Sequence, residues 1–235
     1  FSLPVTTSFF LTQSREDFSP GGSAFVENKS DVTVEQRFRP AEKMAVTYGY
    51  SVARSHVFGL DPIPGIPSTD VSITLAKLTS TYAWDTRDDP SNARRGWFHS
   101  SGLEYAPEQL GSDFRFIKYL AQEYFFKSVA DSVVLASAFR LGAARGFGQD
   151  LLLSEKFFAG GGTSVRGFAE DGLLEPDFFG PVGGNALLLL NQEVRFPVYK
   201  WLRGVGFIDA GNVFPRARDV SFTNLEAGAG FGLRI

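Results

Sequence analysis

From Leu225 to Ile235 the odd positions, Leu225, Ala227, Ala229, Phe231, Leu233 and Ile235, are all apolar, while the even ones are Glu226, Gly228, Gly230, Gly232 and Arg234. A side-chain period of two belongs to a β-strand, whose successive residues face opposite ways, and here the two faces meet different surroundings. Met44, Val46, Tyr48, Tyr50 and Val52 alternate in the same way with Ala45, Thr47, Gly49, Ser51 and Ala53. Val133, Leu135, Phe139 and Leu141 alternate with Ala136, Ala138, Arg140 and Gly142. Such runs cover residues 5–13, 31–38, 44–55, 71–85, 96–106, 113–126, 132–145, 185–197, 203–214 and 224–235, ten in all. Many reach the roughly ten residues that cross a bilayer at a tilt, well beyond the five or six of an ordinary globular strand. The pattern predicts an all-β chain, an antiparallel transmembrane β-barrel.

A soluble sandwich or lipocalin-like barrel alternates too. In such a protein, however, the stripe Gly228, Gly230, Gly232 would have to form the outer surface, whereas a barrel interior accepts it. Aromatic residues also gather near strand ends: Tyr82 and Trp84, Trp97 and Phe98, Tyr124 to Phe126, Tyr199 and Trp201, and Phe214. That placement matches the interfacial girdle of an outer-membrane barrel.

Composition removes other classes. The chain has 235 residues, no cysteine and only two histidines, His56 and His99, so disulfides, thiolate metal sites and cysteine nucleophiles are excluded and imidazole chemistry has little to draw on. A net charge of −3 gives no basic field for a nucleic-acid partner. The longest unbroken apolar run, Ala186 to Leu190, is far too short for a spanning helix. There is no linker or low-complexity tract, and we read residues 1–235 as a single barrel domain cut from a longer chain.

Connections alternate between short and long. Ser128 to Asp131 is tight, while Val57 to Asp70 and Phe147 to Gly184 are long, and a loop of the latter size in a compact domain usually has a function. Within it lies Phe157-Phe158-Ala159-Gly160-Gly161-Gly162-Thr163-Ser164-Val165-Arg166-Gly167-Phe168. Consecutive glycines let this backbone turn sharply and approach another surface. It is not a phosphate-binding P-loop, since the Gly-Lys-Ser/Thr ending and the strand-to-helix setting are both missing.

The stretch Gly161-Gly162-Thr163-Ser164-Val165-Arg166-Gly167-Phe168 resembles the Val-Arg-Gly-Phe/Tyr loop signature of the outer-membrane assembly and translocation superfamily, to which BamA and TamA belong. Asp85-Thr86-Arg87-Asp88-Asp89-Pro90 with Gly96 resembles that family's turn between two barrel strands. Asn185 to Pro197 and Phe207 to Phe214 resemble the strands that follow the signature loop. The resemblance implies a 16-stranded barrel, of which about ten strands are present and both ends are missing, with no POTRA repeats in this piece. It also implies that the long loop folds into the lumen, where its arginine meets acidic residues.

The candidate site is therefore the loop motif Gly161, Gly162, Ser164, Val165, Arg166, Gly167 and Phe168, with Glu193 and Asp209 as anchoring carboxylates. Glu193 shares a strand face with Leu189, Asn191 and Arg195, and Asp209 shares one with Phe207 and Gly211. Arginine's planar fork suits paired carboxylates. The bland alternatives are a solvated loop charge for Arg166, a carboxylate paired locally with Arg195 for Glu193, and a turn-proximal acid for Asp209.

By the same resemblance the protein is a non-enzymatic, integral component of a Gram-negative type outer membrane that inserts or translocates other proteins. Its expected partners are the lipid bilayer, client outer-membrane or secreted proteins and further subunits of an assembly complex, with no cofactor, no metal and no nucleic acid. A passive pore or small-molecule transporter is the rival reading, with Arg140, Glu193 and Arg234 lining a channel. A barrel attached to an enzyme domain would need catalytic residues outside this sequence. The Asp85 to Asp89 cluster lacks EF-hand spacing and reads as a charged turn. Glu104, Glu123 and Glu193 lie on different strands with no spacing that makes an acid–base pair, and His99 reads as a wall residue without triad partners.

Overall fold

The computed structural model describes residues 5–18, 25–59, 70–174 and 182–234. Residues 60–69 and 175–181 of the two long connections, and Ile235 of the last predicted strand, lie outside the described residues. Ten strands follow one another: β1 (Val5–Phe18), β2 (Phe25–Ala41), β3 (Met44–Gly59), β4 (Asp70–Asp85), β5 (Gly96–Ala106), β6 (Phe116–Ala130), β7 (Val133–Gly146), β8 (Ala186–Tyr199), β9 (Leu202–Phe214) and β10 (Glu226–Arg234). They form one sheet in sequence order, and each strand is antiparallel to the next.

All ten strands stand where alternation puts them, but β1, β2 and β3 run further than expected, pairing Arg15 with Asn28 and Asn28 with His56, and β6 begins three residues and ends four residues later than expected. In the β1 extension charge occupies successive positions, Arg15, Glu16 and Asp17, so no apolar rhythm marks it, while the backbone ladder continues. Short turns and the Asp85–Gly96 connection lie at one end of the sheet and the long loops at the other. Register shifts sit beside three of the short turns, at Phe38/Ala41, Ser128/Ala130 and Pro197/Tyr199, where a bulge bends the strand end.

The long loop between β7 and β8 contacts strands from β4 to β10 on one face. Six strand spacings would separate β4 from β10 by roughly 29 Å in a flat sheet, yet Arg234 at the end of β10 donates to Ser91 O in the β4–β5 turn at 3.4 Å, so the sheet curls around the loop. That concave face is where Gly228 and Gly230 of β10 point. Phe231 on the opposite, convex face is 91% exposed, in keeping with the predicted register.

The aromatic belt is more divided than the sequence suggests. Trp84, Trp97, Phe125, Tyr199 and Trp201 lie exposed near the short-turn end. Phe126 is buried on the concave face, with Tyr124 packed against its cluster, and Phe214 is buried at the other end of its strand. The concave face is also less polar than expected, because Leu75, Phe116, Leu187, Leu189 and Val213 from the strands pack there on Leu151, Phe157, Ala159 and Val165 of the loop.

Two polar features of the wall have local partners. His99 of β5 hydrogen-bonds through Nδ1 to Glu123 of β6, whose other oxygen accepts from Trp97 Nε1, so these groups compensate one another on the convex face. In the β4–β5 turn, Arg87 donates from Nε and Nη2 to both oxygens of Asp85 at 2.9 and 2.7 Å. Asp88 Oδ1 accepts from the backbone N–H of Arg94 at 2.9 Å, of Arg95 at 3.1 Å and of Asp89 at 3.0 Å. The turn thus uses its carboxylates internally.

The backbone N–H groups of Arg94 and then Arg95 hold the Asp88 carboxyl below the usual carboxylate range. A carboxyl lowered on folding stabilises the fold above its unfolded pKa near 4, and that contribution is lost as pH falls through the folded value. The amide chemical shifts of Arg94 and Arg95 are therefore expected to titrate below pH ~4, and Asp88→Asn to abolish the transition. A midpoint at or above the ordinary aspartate value would contradict this account.

Candidate functional site in the interior loop

The loop holds its own shape before it meets the wall. Phe157 and Gly184 exchange backbone hydrogen bonds of 2.8 Å in each direction, closing the loop at its base. Gly160 has φ +119°, a conformation L side chains rarely adopt, and it starts the tight turn that follows. Ser164 Oγ accepts from Gly160 N and donates to Gly160 O, both at 2.7 Å, while Gly161 N donates to Phe168 O at 3.2 Å. Val165 is fully buried and anchors the tip in the apolar cluster, with Phe168 packed at its margin. Gly162 lies at the exposed tip, and Gly167 has φ +100° beside the arginine.

That scaffold presents Arg166 to two strands at once. Nε donates to Asp209 Oδ2 at 2.6 Å, Nη2 to Asp209 Oδ1 at 2.8 Å, and Nη1 to Glu193 Oε1 at 2.7 Å. The Arg166 backbone N–H adds a bond of 3.1 Å to Asp209 Oδ2. Asn191 completes the arrangement, donating to Asp209 Oδ1 at 2.8 Å and to Ser164 O at 2.6 Å. Asp209 on β9 is 0% exposed, so its charge depends on these donors. Glu193 on β8 divides its oxygens between Arg166 and Arg195, the latter pairing at 2.9 Å. The guanidinium carbon of Arg166 stacks 3.6 Å from the centre of the Phe207 ring.

The glycine stripe of β10 has a reason here. A Cβ at Gly228 would overlap the carbonyl oxygen of Arg166, and one at Gly230 would come within 2.8 Å of the Phe207 ring. The absent side chains leave room for the clasp.

The structure thus brings Arg166, Glu193 and Asp209 together. It also reveals contacts that sequence reasoning missed. Glu155, buried at the start of the loop, meets Lys77 of β4 at 3.2 Å and Lys118 of β6 at 3.5 Å, while Lys77 also reaches Glu104 of β5 at 2.7 Å. Arg140 of β7 donates from Nη2 to Thr163 O at 2.8 Å and to Asn191 Oδ1 at 3.1 Å. The loop is therefore tied at its base to β4 and β6 and at its tip to β7, β8 and β9. The inward parity of Lys77, Lys118 and Arg140 was legible, but their partners depend on the curl of the sheet. Chemically the Arg166–Glu193–Asp209 clasp is a set of ion pairs, and among the residues that form it there is no nucleophile beside a base.

A barrel-type antiparallel sheet with a loop clasped to its interior defines the class of protein. The Omp85 superfamily domain matches residues 2–235, and the chain belongs to that superfamily. The fold is similar to that of BamA from Haemophilus ducreyi lacking POTRA domains 1–3, with a TM-score of 0.78 and 16% identity over 97% of this chain and 52% of the BamA chain. The chain thus spans about half the length of that structure. No curated protein matches it significantly by sequence.

Arg166→Ala is expected to leave Asp209 buried with an uncompensated charge, at a local cost of about 3–5 kcal/mol. Hydrogen exchange should show the amides of residues 160–168 losing protection. Lysine should restore little, because it lacks the planar fork. Gly228→Ala should loosen the same amides, since the displaced atom is backbone. Unchanged protection in both Arg166→Ala and Gly228→Ala would show that the tip is held by other contacts.

Proposed function

We propose that this chain is the barrel portion of an integral outer-membrane component that inserts proteins into, or translocates them across, a Gram-negative type outer membrane, and that it works without catalysis or cofactor. Membership of the Omp85 superfamily and the BamA-like sheet support the general role. The observation that carries the reading is the three-residue clasp of Arg166, Glu193 and Asp209, which ties the interior loop to the sheet. Client outer-membrane or secreted polypeptides are the partners, together with the bilayer and further subunits of an assembly complex. A client strand would join by edge pairing, in which backbone groups supply affinity and alternating side chains supply selection.

In this reading the convex face meets lipid. Phe231, Leu233, Ile208, Leu141 and Val194 are exposed apolar residues there, and the belt of Trp84, Trp97, Tyr199 and Trp201 marks one interface. The loop acts as an internal brace, so that the curvature of the sheet depends on it. The rival reading, a passive pore, is weakened by the apolar packing of the loop against the concave face, which occupies space a conducting channel needs.

Two measurements on the full-length protein in lipid test this. Leu141→Arg should lower folding in the bilayer by about 2–4 kcal/mol if it lies near the midplane, and the same change at inward Ala138 should cost less. In proteoliposomes the wild type should raise the folding yield of a client barrel, and Arg166→Ala and Asp209→Asn should reduce that gain. A steady wild-type conductance with no effect on client folding would favour the passive pore and overturn the proposal.

A further inference from the structure

Beneath the loop tip lies a cavity of about 180 Å³, bounded by Tyr124 and Phe126 of β6, Ala138 and Arg140 of β7, Thr163 of the loop and Arg195 of β8. We propose that it is an anion site that receives a carboxylate or phosphate group, with Arg140 as its principal cation. Three arginines line the cavity, Arg140, Arg166 and Arg195, and they face one lining carboxylate, Glu193. Asp209 lies behind Arg166 and is bound to it, so three positive groups stand against two negative ones.

The excess charge resides on Arg140. Arg166 and Arg195 are both paired with carboxylates, but Arg140 meets only neutral acceptors, the Thr163 carbonyl and the Asn191 amide oxygen. No described residue offers Arg140 an ion pair, and its Nε is shielded from water without a hydrogen-bond partner. What favours an entering anion is the unpaired charge of Arg140, whose guanidinium lines the cavity and meets only neutral acceptors. The cavity also has the room, since a water molecule takes about 30 Å³ of liquid volume. Its walls include the rings of Tyr124 and Phe126, so an anion carried on an apolar stem fits beside them.

This inference does not depend on the protein-assembly reading. The anion could be an acidic side chain of an extended polypeptide or a small free ion, and the probes separate them. The full-length protein in nanodiscs would be titrated calorimetrically with inorganic phosphate, and with an extended peptide carrying one glutamate or, as its control, glutamine. We expect phosphate or the glutamate peptide to bind, with the glutamine peptide weaker. Arg140→Gln should weaken the bound probe by about tenfold or more, the equivalent of one lost charge-assisted contact.

Ala138→Glu supplies an internal carboxylate one inward position from Arg140, and it should abolish probe binding while the protein still shows the heat-resistant migration of a folded barrel. Competition between phosphate and the glutamate peptide would identify a polypeptide side chain as occupant, and binding of phosphate alone a free ion. Two results overturn the proposal: no binding of either probe to wild type, or equal binding by wild type and Arg140→Gln. Arg140→Lys keeps the charge and guards against a merely structural loss, since partial recovery of binding is expected only if the cation matters.

Discussion

The burial of Asp209 is the constraint on which the interior depends. A carboxylate without solvent contact is tolerated only with several donors, and here they come from the Arg166 side chain, the Arg166 backbone and Asn191. The donors come from the loop and from β8 and the acceptor from β9, so satisfying one charge fixes the loop tip against both strands. The close approach of the loop backbone then dictates glycine at position 228 on β10. A single electrostatic requirement thus reaches four segments.

The two ends of the loop are fastened differently. At the tip, a planar fork engages two carboxylates and stacks on Phe207, an arrangement with little angular freedom. At the base, Glu155 lies between two lysines, whose flexible stems and rotatable donors hold charge without fixing orientation. The base therefore supplies attachment and the tip supplies register. Leu151, Phe157, Ala159 and Val165 bury apolar surface against the strands along the loop, from before Glu155 to the residue next to Arg166, which opposes withdrawal of base and tip alike.

Much of this was written in local pattern. Alternation placed the ten strands, and parity along each strand, a local property, grouped Glu193 with Asn191 and Arg195 and Asp209 with Phe207 and Gly211; that these faces look inward came from the family resemblance. The Val165-Arg166-Gly167-Phe168 signature and the acidic residues on the next strands pointed to the same place. The extension of β1 was invisible because Arg15, Glu16 and Asp17 break the apolar rhythm while the backbone continues to pair. Glu155 was missed because its partners are separated from it by 78 residues at Lys77 and reach it only through the curl of the sheet. The His99–Glu123 contact needed the register between β5 and β6, which neither strand encodes alone.

The arrangement also explains why the concave face can be apolar in one region and charged in another without conflict. Near the long-loop end, Leu187 and Leu189 of β8 and Val213 of β9 meet the folded loop and exclude water. One or two inward positions further along, the same strands carry Asn191, Glu193 and Asp209, which meet the loop's polar tip. The loop reverses direction at its glycines just where the wall changes character, so its apolar residues face the apolar rungs and Arg166 faces the acidic ones. A shift of β9 by one residue would turn Asp209 to the convex face and send Ile208 toward Arg166. Strand register and loop conformation are thus coupled, because only one pairing of β8 with β9 satisfies both the apolar base and the charged tip.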